Sequence, residues 1–143
     1  MVIQPAEHGD LPAVRRLLET QHLPLDDVDD HVATMVVARQ GNEVVGAAAV
    51  ELYAESALLR SVVVDPGMQG KGLGHRLSEA ALTIARNRGA QTAFLLTTTA
   101  EGFFPKLGFE PIGRDDVPAS VQASVEFQSA CPASAVVMRR RLA

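Results

Sequence analysis

Hydrophobic positions change their period several times along the chain, and each change marks the edge of a predicted element. Val2-Ile3 opens a first strand. Asp10 suits an N-cap and Pro12 a first helical turn, while Leu11, Val14, Leu17 and Leu18 recur at helical spacing until Leu23-Pro24 ends the pattern. A helix is therefore predicted over 11–22. The acidic stretch 26–30 suits the start of a short helix, where carboxylates meet the positive end of the dipole; attraction of an amine is the alternative reading. Met35 to Arg39 and Glu43 to Tyr53 are apolar, β-branched runs parted by the turn signal Gly41-Asn42, and Ala57 to Val64 adds a third run. Together they predict an antiparallel meander. Asp65-Pro66-Gly67 stops the strand, and a helical pattern resumes with Leu77, Ala80, Ala81, Ile84 and Ala85 before closing on Arg86-Asn87-Arg88-Gly89. A strand from Thr92 to Leu96, a short helix from Ala100 to Leu107 and a strand from Phe109 to Ile112 come next. A polar excursion over 115–130 with a partial helix leads to a closing strand from Ala135 to Arg140. The order predicts one mixed α/β domain over 1–143 with a largely antiparallel first half.

Composition narrows the class. At 143 residues, 47% hydrophobic and 21% charged, the chain matches a single globular domain. No apolar run reaches the roughly 18 residues needed to cross a bilayer, so no membrane partner is expected. The first residues lack the basic start and apolar stretch of a secretory signal, and the single cysteine, Cys131, has no internal partner for a disulfide; a cytoplasmic location is expected. A formal charge of −4 carries no excess for binding nucleic acid, and Arg139-Arg140-Arg141 reads as the solvated end of a last strand. The histidines show no metal-ligand spacing with one another or with Cys131, so no metal is expected.

The chemistry concentrates after the third strand of the meander. Gln69-Gly70-Lys71-Gly72-Leu73-Gly74 stands between a strand and an amphipathic helix. Glycines let backbone approach a ligand, and amides at a helix N-terminus make a cradle for a diphosphate. A plain tight turn is the other reading. The segment lacks the P-loop pattern G-x-x-x-x-G-K-[ST] and the dinucleotide spacing G-x-G-x-x-G.

The segment resembles the phosphate-binding motif of the GNAT superfamily of N-acetyltransferases, [QR]-x-x-G-x-[GA], which Gln69, Gly72 and Gly74 satisfy. Val64-Asp65-Pro66 before it and Lys106-Leu107-Gly108-Phe109 after it match that family's flanking strand end and short-helix ending, and the likeness covers roughly residues 2 to 113. The resemblance implies a central, mostly antiparallel sheet splayed in its middle, with helices on both faces. It also implies acetyl-CoA in the wedge between Ser61–Val64 and Thr92–Leu96. Backbone groups along Val62, Val63 and Val64 would pair with the pantetheine arm, and amides of Gly70, Lys71, Gly72, Leu73 and Gly74, with Gln69 beside them, would hold the pyrophosphate. Plain core strand is the other reading of the valines. Thr97 and Phe104 fall among the cofactor contacts. The family commonly places a tyrosine where Phe104 stands, so the usual general acid is missing. A homodimer is implied by analogy.

Acetyl transfer needs a proton acceptor and a partner for the acceptor molecule. Glu51, an acid in the apolar context Val50-Glu51-Leu52, is the candidate base; an exposed strand residue, or a partner for Arg60 across the hairpin, is the other reading. Arg60, isolated in Leu59-Arg60-Ser61, is the candidate for binding an acceptor carboxylate bidentately, and Thr98 a candidate acceptor contact, with Thr99 as a helix cap. Cys131 reads as a structural thiol. Glu51-Leu52-Tyr53, Leu58-Leu59-Arg60-Ser61, the run from Leu96 to Phe104 and Cys131-Pro132-Ala133-Ser134-Ala135 resemble the acetyltransferases of bacterial arsenic-resistance operons. The Leu-Thr-Thr run also resembles the acetyltransferase domain of N-acetylglutamate synthases. Both imply a small-molecule amine acceptor, the α-amine of an acidic amino acid or an analogue such as arsinothricin or phosphinothricin.

Overall fold

A computed structural model describes residues 2–98, 100, 102–125, 127–128 and 135–142. Strands β1 (Val2–Pro5), β2 (Met35–Gln40), β3 (Glu43–Tyr53), β4 (Ser56–Val64), β5 (Thr92–Thr97), β6 (Glu110–Ile112) and β7 (Val136–Arg141) form one seven-stranded sheet in the order β1-β2-β3-β4-β5-β7-β6. Every neighbouring pair is antiparallel except β4 with β5. The alternation of the meander sets its two faces. Ala48 and Val50 point toward helix α2 (Leu73–Asn87), whose Leu77, Ala81, Leu82 and Ala85 are fully buried in the larger apolar cluster. Ala47, Ala49 and Val63 point the other way, into a cluster with Val14, Leu17 and Leu18 of helix α1 (Leu11–Thr20). A third cluster joins Leu58, Phe94 and Val137 to Val121 of the short α3 (Ala119–Gln122). No described helix is long and apolar enough to cross a membrane.

Three element edges differ from expectation by two residues or more, each for a local reason. Helix α1 ends at Thr20 because the amides of His22 and Leu23 turn back to the carbonyls of Glu19 and Leu18, a Schellman closure that puts His22 at φ 58°. Helix α2 starts at Leu73, before the first apolar repeat at Leu77, so Gly74 lies inside its first turn. The helix expected from Ala100 is a 3-10 turn over Phe104–Leu107. Near the acidic stretch, a 3-10 segment runs over Val28–Thr34, and Asp27 before it is left-handed at φ 49° and caps nothing. In the basic run, Arg139 pairs with Glu110 and Arg140 with Glu79.

Candidate functional site

Parallel pairing between β4 and β5 covers only Ser56↔Thr92, Ala57↔Ala93 and Leu58↔Phe94. Past that point β5 stays paired with β7 as far as Thr97↔Val136, while β4 diverges. The divergence has a visible origin in a register shift against β3 between Ala47 and Ala49, opposite Ser61, which is left-handed at φ 56°. An extra residue of this kind bends its strand and re-aims the residues beyond it. The result is a cleft of about 700 Å³. Its walls are Leu59–Val64 of β4, the end of β5, the glycine turn, Phe103 and Phe104, and on the far side residues 21–24 after α1. Because β5 has left, backbone groups along 59–64 face the cleft without a neighbouring strand.

The turn after β4 is braced from within. The Asp65 carboxylate accepts from the amide of Gly67 at 2.9 Å, and Gln69 Nε2 donates to the Val64 carbonyl at 3.1 Å. Gly70 and Gly72 are both left-handed at φ 80°, and a Cβ on either would meet no atom within 4 Å. Backbone here is thus open to an incoming group, and Gly72 leads directly into the first turn of α2, whose amides have no intrahelical acceptor. This arrangement fits a pyrophosphate. Lys71 is exposed beside it and Leu73 is buried beneath it. Gly74 is different: a Cβ there would lie 3.2 Å from Phe103 Cζ and 3.7 Å from Val64 Cγ2. Its lack of a side chain serves helix-to-ring packing.

On the opposite wall, Thr97 Oγ1 accepts from the amide of Ala100 at 3.0 Å, ahead of the 3-10 turn; Thr99, expected as a helix cap, lies outside the described residues, as does Cys131. Thr98 is exposed at the cleft. Phe104 is buried, edge-on to Phe103 at 5.0 Å and to Phe109 at 5.9 Å between ring centroids. Val62, Val63 and Val64 all line the cleft, although the Val63 side chain itself belongs to the α1 cluster.

Arg60 and Glu51 pair with each other across the hairpin, the other reading of Glu51. The Arg60 side chain is fully buried. Its Nη1 donates to Asp27 Oδ1 at 2.6 Å and to Glu51 Oε2 at 2.7 Å, and its Nη2 donates to the Asp26 carbonyl at 2.7 Å. A guanidinium so engaged is not presented to an acceptor carboxylate. Glu51 in turn accepts from the Tyr53 hydroxyl as well as from Arg60, and it opens on a smaller recess with Asp30, His31, Thr34 and Tyr53, outside the lining of the large cleft. Burial, and the carboxylate of Glu51 beside it, push the Tyr53 hydroxyl above its ordinary range. Burial opposes the charge on Asp27, but hydrogen bonds from His31 and Arg60 outweigh it and hold that carboxyl below its usual range.

His31 Nε2 lies 3.0 Å from Asp27 Oδ2 and 3.6 Å from Glu51 Oε2. Asp27, His31 and Glu51 come from two segments and bring ligand atoms within 4.8 Å of one another, an assembly that linear spacing did not reveal. Arg60 bonds both carboxylates and so already supplies them with a fixed positive charge. One signal for Asp27 was present in the sequence: an arginine inside an apolar strand must find carboxylates if it is buried.

Residues 31–111 match the family model described as an acetyltransferase (GNAT) domain. An amino-acid acetyltransferase of Mycobacterium tuberculosis is 31% identical over 131 residues, covering 84% of this chain and 74% of that protein. An amino-acid acetyltransferase of Neisseria meningitidis serogroup A is 28% identical over 125 residues, 81% of this chain but 29% of that protein. Among solved structures, Rv2747 of Mycobacterium tuberculosis in complex with CoA superposes at TM-score 0.83 with 28% identity, covering all of both chains. The N-acetylglutamate synthase of Neisseria gonorrhoeae, complexed with coenzyme A and N-acetyl-glutamate, has the same fold at TM-score 0.86, with 24% identity, 99% of this chain and 35% of that one. The chain thus spans about a third of the Neisseria proteins.

Proposed function

The chain belongs to the GNAT acetyltransferase family, and we propose that it acetylates the α-amine of an amino acid from acetyl-CoA. The acceptor class in this reading is acidic, glutamate or its phosphinate and arsinate analogues phosphinothricin and arsinothricin. The single observation that carries it is the wedge between β4 and β5 running into the open, left-handed Gly70–Gly72 turn at the head of α2. Relatives named for amino-acid acetylation support an amino-acid acceptor.

In this reading the unpaired backbone along Val62–Val64 receives the pantetheine arm as an added strand. The amides of Gly70 to Gly74 hold the pyrophosphate, with Gln69 bracing the turn and Lys71 adding a positive charge. Acetyl-CoA supplies the thioester: the neutral amine attacks its carbonyl carbon, the C–S bond breaks, and the amine proton leaves to solvent or a base. Phe104 has no proton to give, so the thiolate departs unprotonated, as its low basicity permits, and equilibrates with solvent protons afterwards. Thr98, exposed at the cleft, lies within the acceptor region. With both Glu51 oxygens engaged, a base role for Glu51 runs only through the recess on its far side.

The test is a screen of amines with acetyl-CoA, reading release of free thiol, with L-glutamate, phosphinothricin and arsinothricin included. Turnover of acidic α-amines above neutral and basic ones is expected. Acetyl-CoA binding with no thiol release for any amine would overturn the reading and leave an acyl-CoA-binding module. Turnover confined to non-acidic amines would remove the acceptor class alone.

A further inference from the structure

One buried guanidinium joins β4 to β3 and to the segment that follows α1. Arg60 Nε lies 3.3 Å from Ser61 Oγ, at the left-handed residue of the β4 bulge. Its Nη1 bridges Asp27 and Glu51, and its Nη2 holds the Asp26 carbonyl. Asp26 and Asp27 belong to the segment that begins with residues 21–24, the far wall of the cleft. Asp27 is itself left-handed at φ 49°, a conformation that aspartate tolerates but that persists only where its surroundings over-determine it. His31 bonds the second oxygen of the same carboxylate.

We propose that Arg60, through Asp27, is a positioning residue that locks the 21–27 wall to the β4 bulge and so sets the acceptor end of the cleft. The acceptor part of this inference rests on the function proposed above. The glycine turn comes after Val64, so a cofactor whose pyrophosphate lies there runs back along β4 toward Ser61, and the thioester end meets the wall that Arg60 holds. A planar fork suits the task because its donors point in fixed directions, to bulge, strand and wall together; a lysine ammonium cannot span them. A buried ion pair of this kind adds little net stability relative to apolar packing, so its return is the register of the wall.

Two variants test the strut from its two ends. Arg60→Lys removes the fork, and Asp27→Asn keeps a residue tolerant of the left-handed backbone while removing the charge. Each is assayed with acetyl-CoA and whichever of L-glutamate or phosphinothricin the wild type acetylates, and each is examined by amide hydrogen exchange without substrates. Both variants are expected to raise the acceptor KM by about tenfold, as displacement of a positioning element does, with the Kd for acetyl-CoA within about twofold. The double variant is expected to be no worse than the more impaired single one. Exchange should quicken over 21–27 and stay slow in β3 and α2. Asp27→Asn with wild-type acceptor KM and wild-type exchange over 21–27 would overturn the proposal, and additive single effects would do the same. A raised KM in Arg60→Lys alone would instead make Arg60 a direct acceptor contact. Exchange needs no acceptor, so if the wild type acetylates no amine the function fails while the strut is still decided, including where Arg60→Lys does not fold and Asp27→Asn stands alone.

Discussion

Gly72→Ala and Gly74→Ala add the same methyl group two residues apart and are expected to fail for different reasons. At Gly72 the left-handed φ of 80° makes any L side chain unfavourable by about 1–2 kcal/mol, yet the new Cβ meets no atom within 4 Å. For a chain of this size that strain lowers Tm by a few degrees. With acetyl-CoA the same methyl stands where backbone amides are to meet the pyrophosphate. Displacing even one charge-assisted hydrogen bond there costs about 1.5–3 kcal/mol, an affinity loss of at least about tenfold. Gly74 carries no such backbone strain; its Cβ would press on Phe103 Cζ at 3.2 Å. Overpacking of this sort costs about 1–3 kcal/mol, toward the low end here because Phe103 is only half-buried and can tilt. Titration calorimetry with acetyl-CoA and thermal melts of both variants separate the cases. Adding Phe103→Leu should restore the stability of Gly74→Ala and do nothing for Gly72→Ala. A folded Gly72→Ala that binds acetyl-CoA within about twofold of wild type would refute the cradle, and failure of Phe103→Leu to rescue Gly74→Ala would refute the packing account.

Ser78 is fully buried in α2 and, among the described residues, its Oγ is the buried side-chain atom without a hydrogen-bond partner; Ser78→Ala is expected to raise stability by about 1 kcal/mol, read as a higher midpoint in urea. The lowered pKa of Asp27 means that its ionised form favours the folded state: this contribution is present above the carboxyl's ordinary value of 3.8 and is lost as pH falls below it through the lowered folded value. Urea midpoints of Asp27→Asn and wild type should therefore converge below about pH 4, and a difference that stays constant between pH 7 and pH 3 would contradict the linkage.

Much of the fold was legible because its main elements announce themselves by period: the meander from Met35 to Val64, and the amphipathic faces of α1 and α2, each carry enough repeats to fix type and approximate length. The edges that moved were set by backbone chemistry that apolar spacing does not encode. Leu77 begins the apolar repeat, but the helix starts at Leu73 because Gly72 can take the left-handed turn that leads into it. His22 closes α1 in a position where glycine is the usual signal, so nothing in the letter sequence marked it. In the site, the glycine turn and the β4 strand were legible as a strand-break-helix pattern, whereas the placement of Asp27 and His31 was not. They meet Glu51 and Arg60 only through the pairing of β3 with β4 and the return of the chain after α1, and a sequence distance of 33 residues between Asp27 and Arg60 carries no periodic trace.

The two faces of the sheet explain why the ionic group sits where it does. Against α2 the apolar cluster runs continuously from Val36 to Leu142. On the opposite face it is split, one part under α1 and the other under α3. Leu58 belongs to the α3 part and Ala49 to the α1 part, and Arg60, which shares their face, fills the gap between them with Glu51 and Asp27. Apolar side chains would close such a gap with comparable stability, but apolar contact has no preferred direction and would leave the crossing segment free to slide. Directed bonds from a fork fix it. The cradle at the head of α2 depends on the other face, on Leu73 beneath the turn and Gln69 across it, and shares no side chain with the Arg60 group. In the proposed reading, donor binding and acceptor placement are therefore separable, so that substitutions around Arg60 should alter how tightly the amine is used while leaving the affinity for acetyl-CoA where it was.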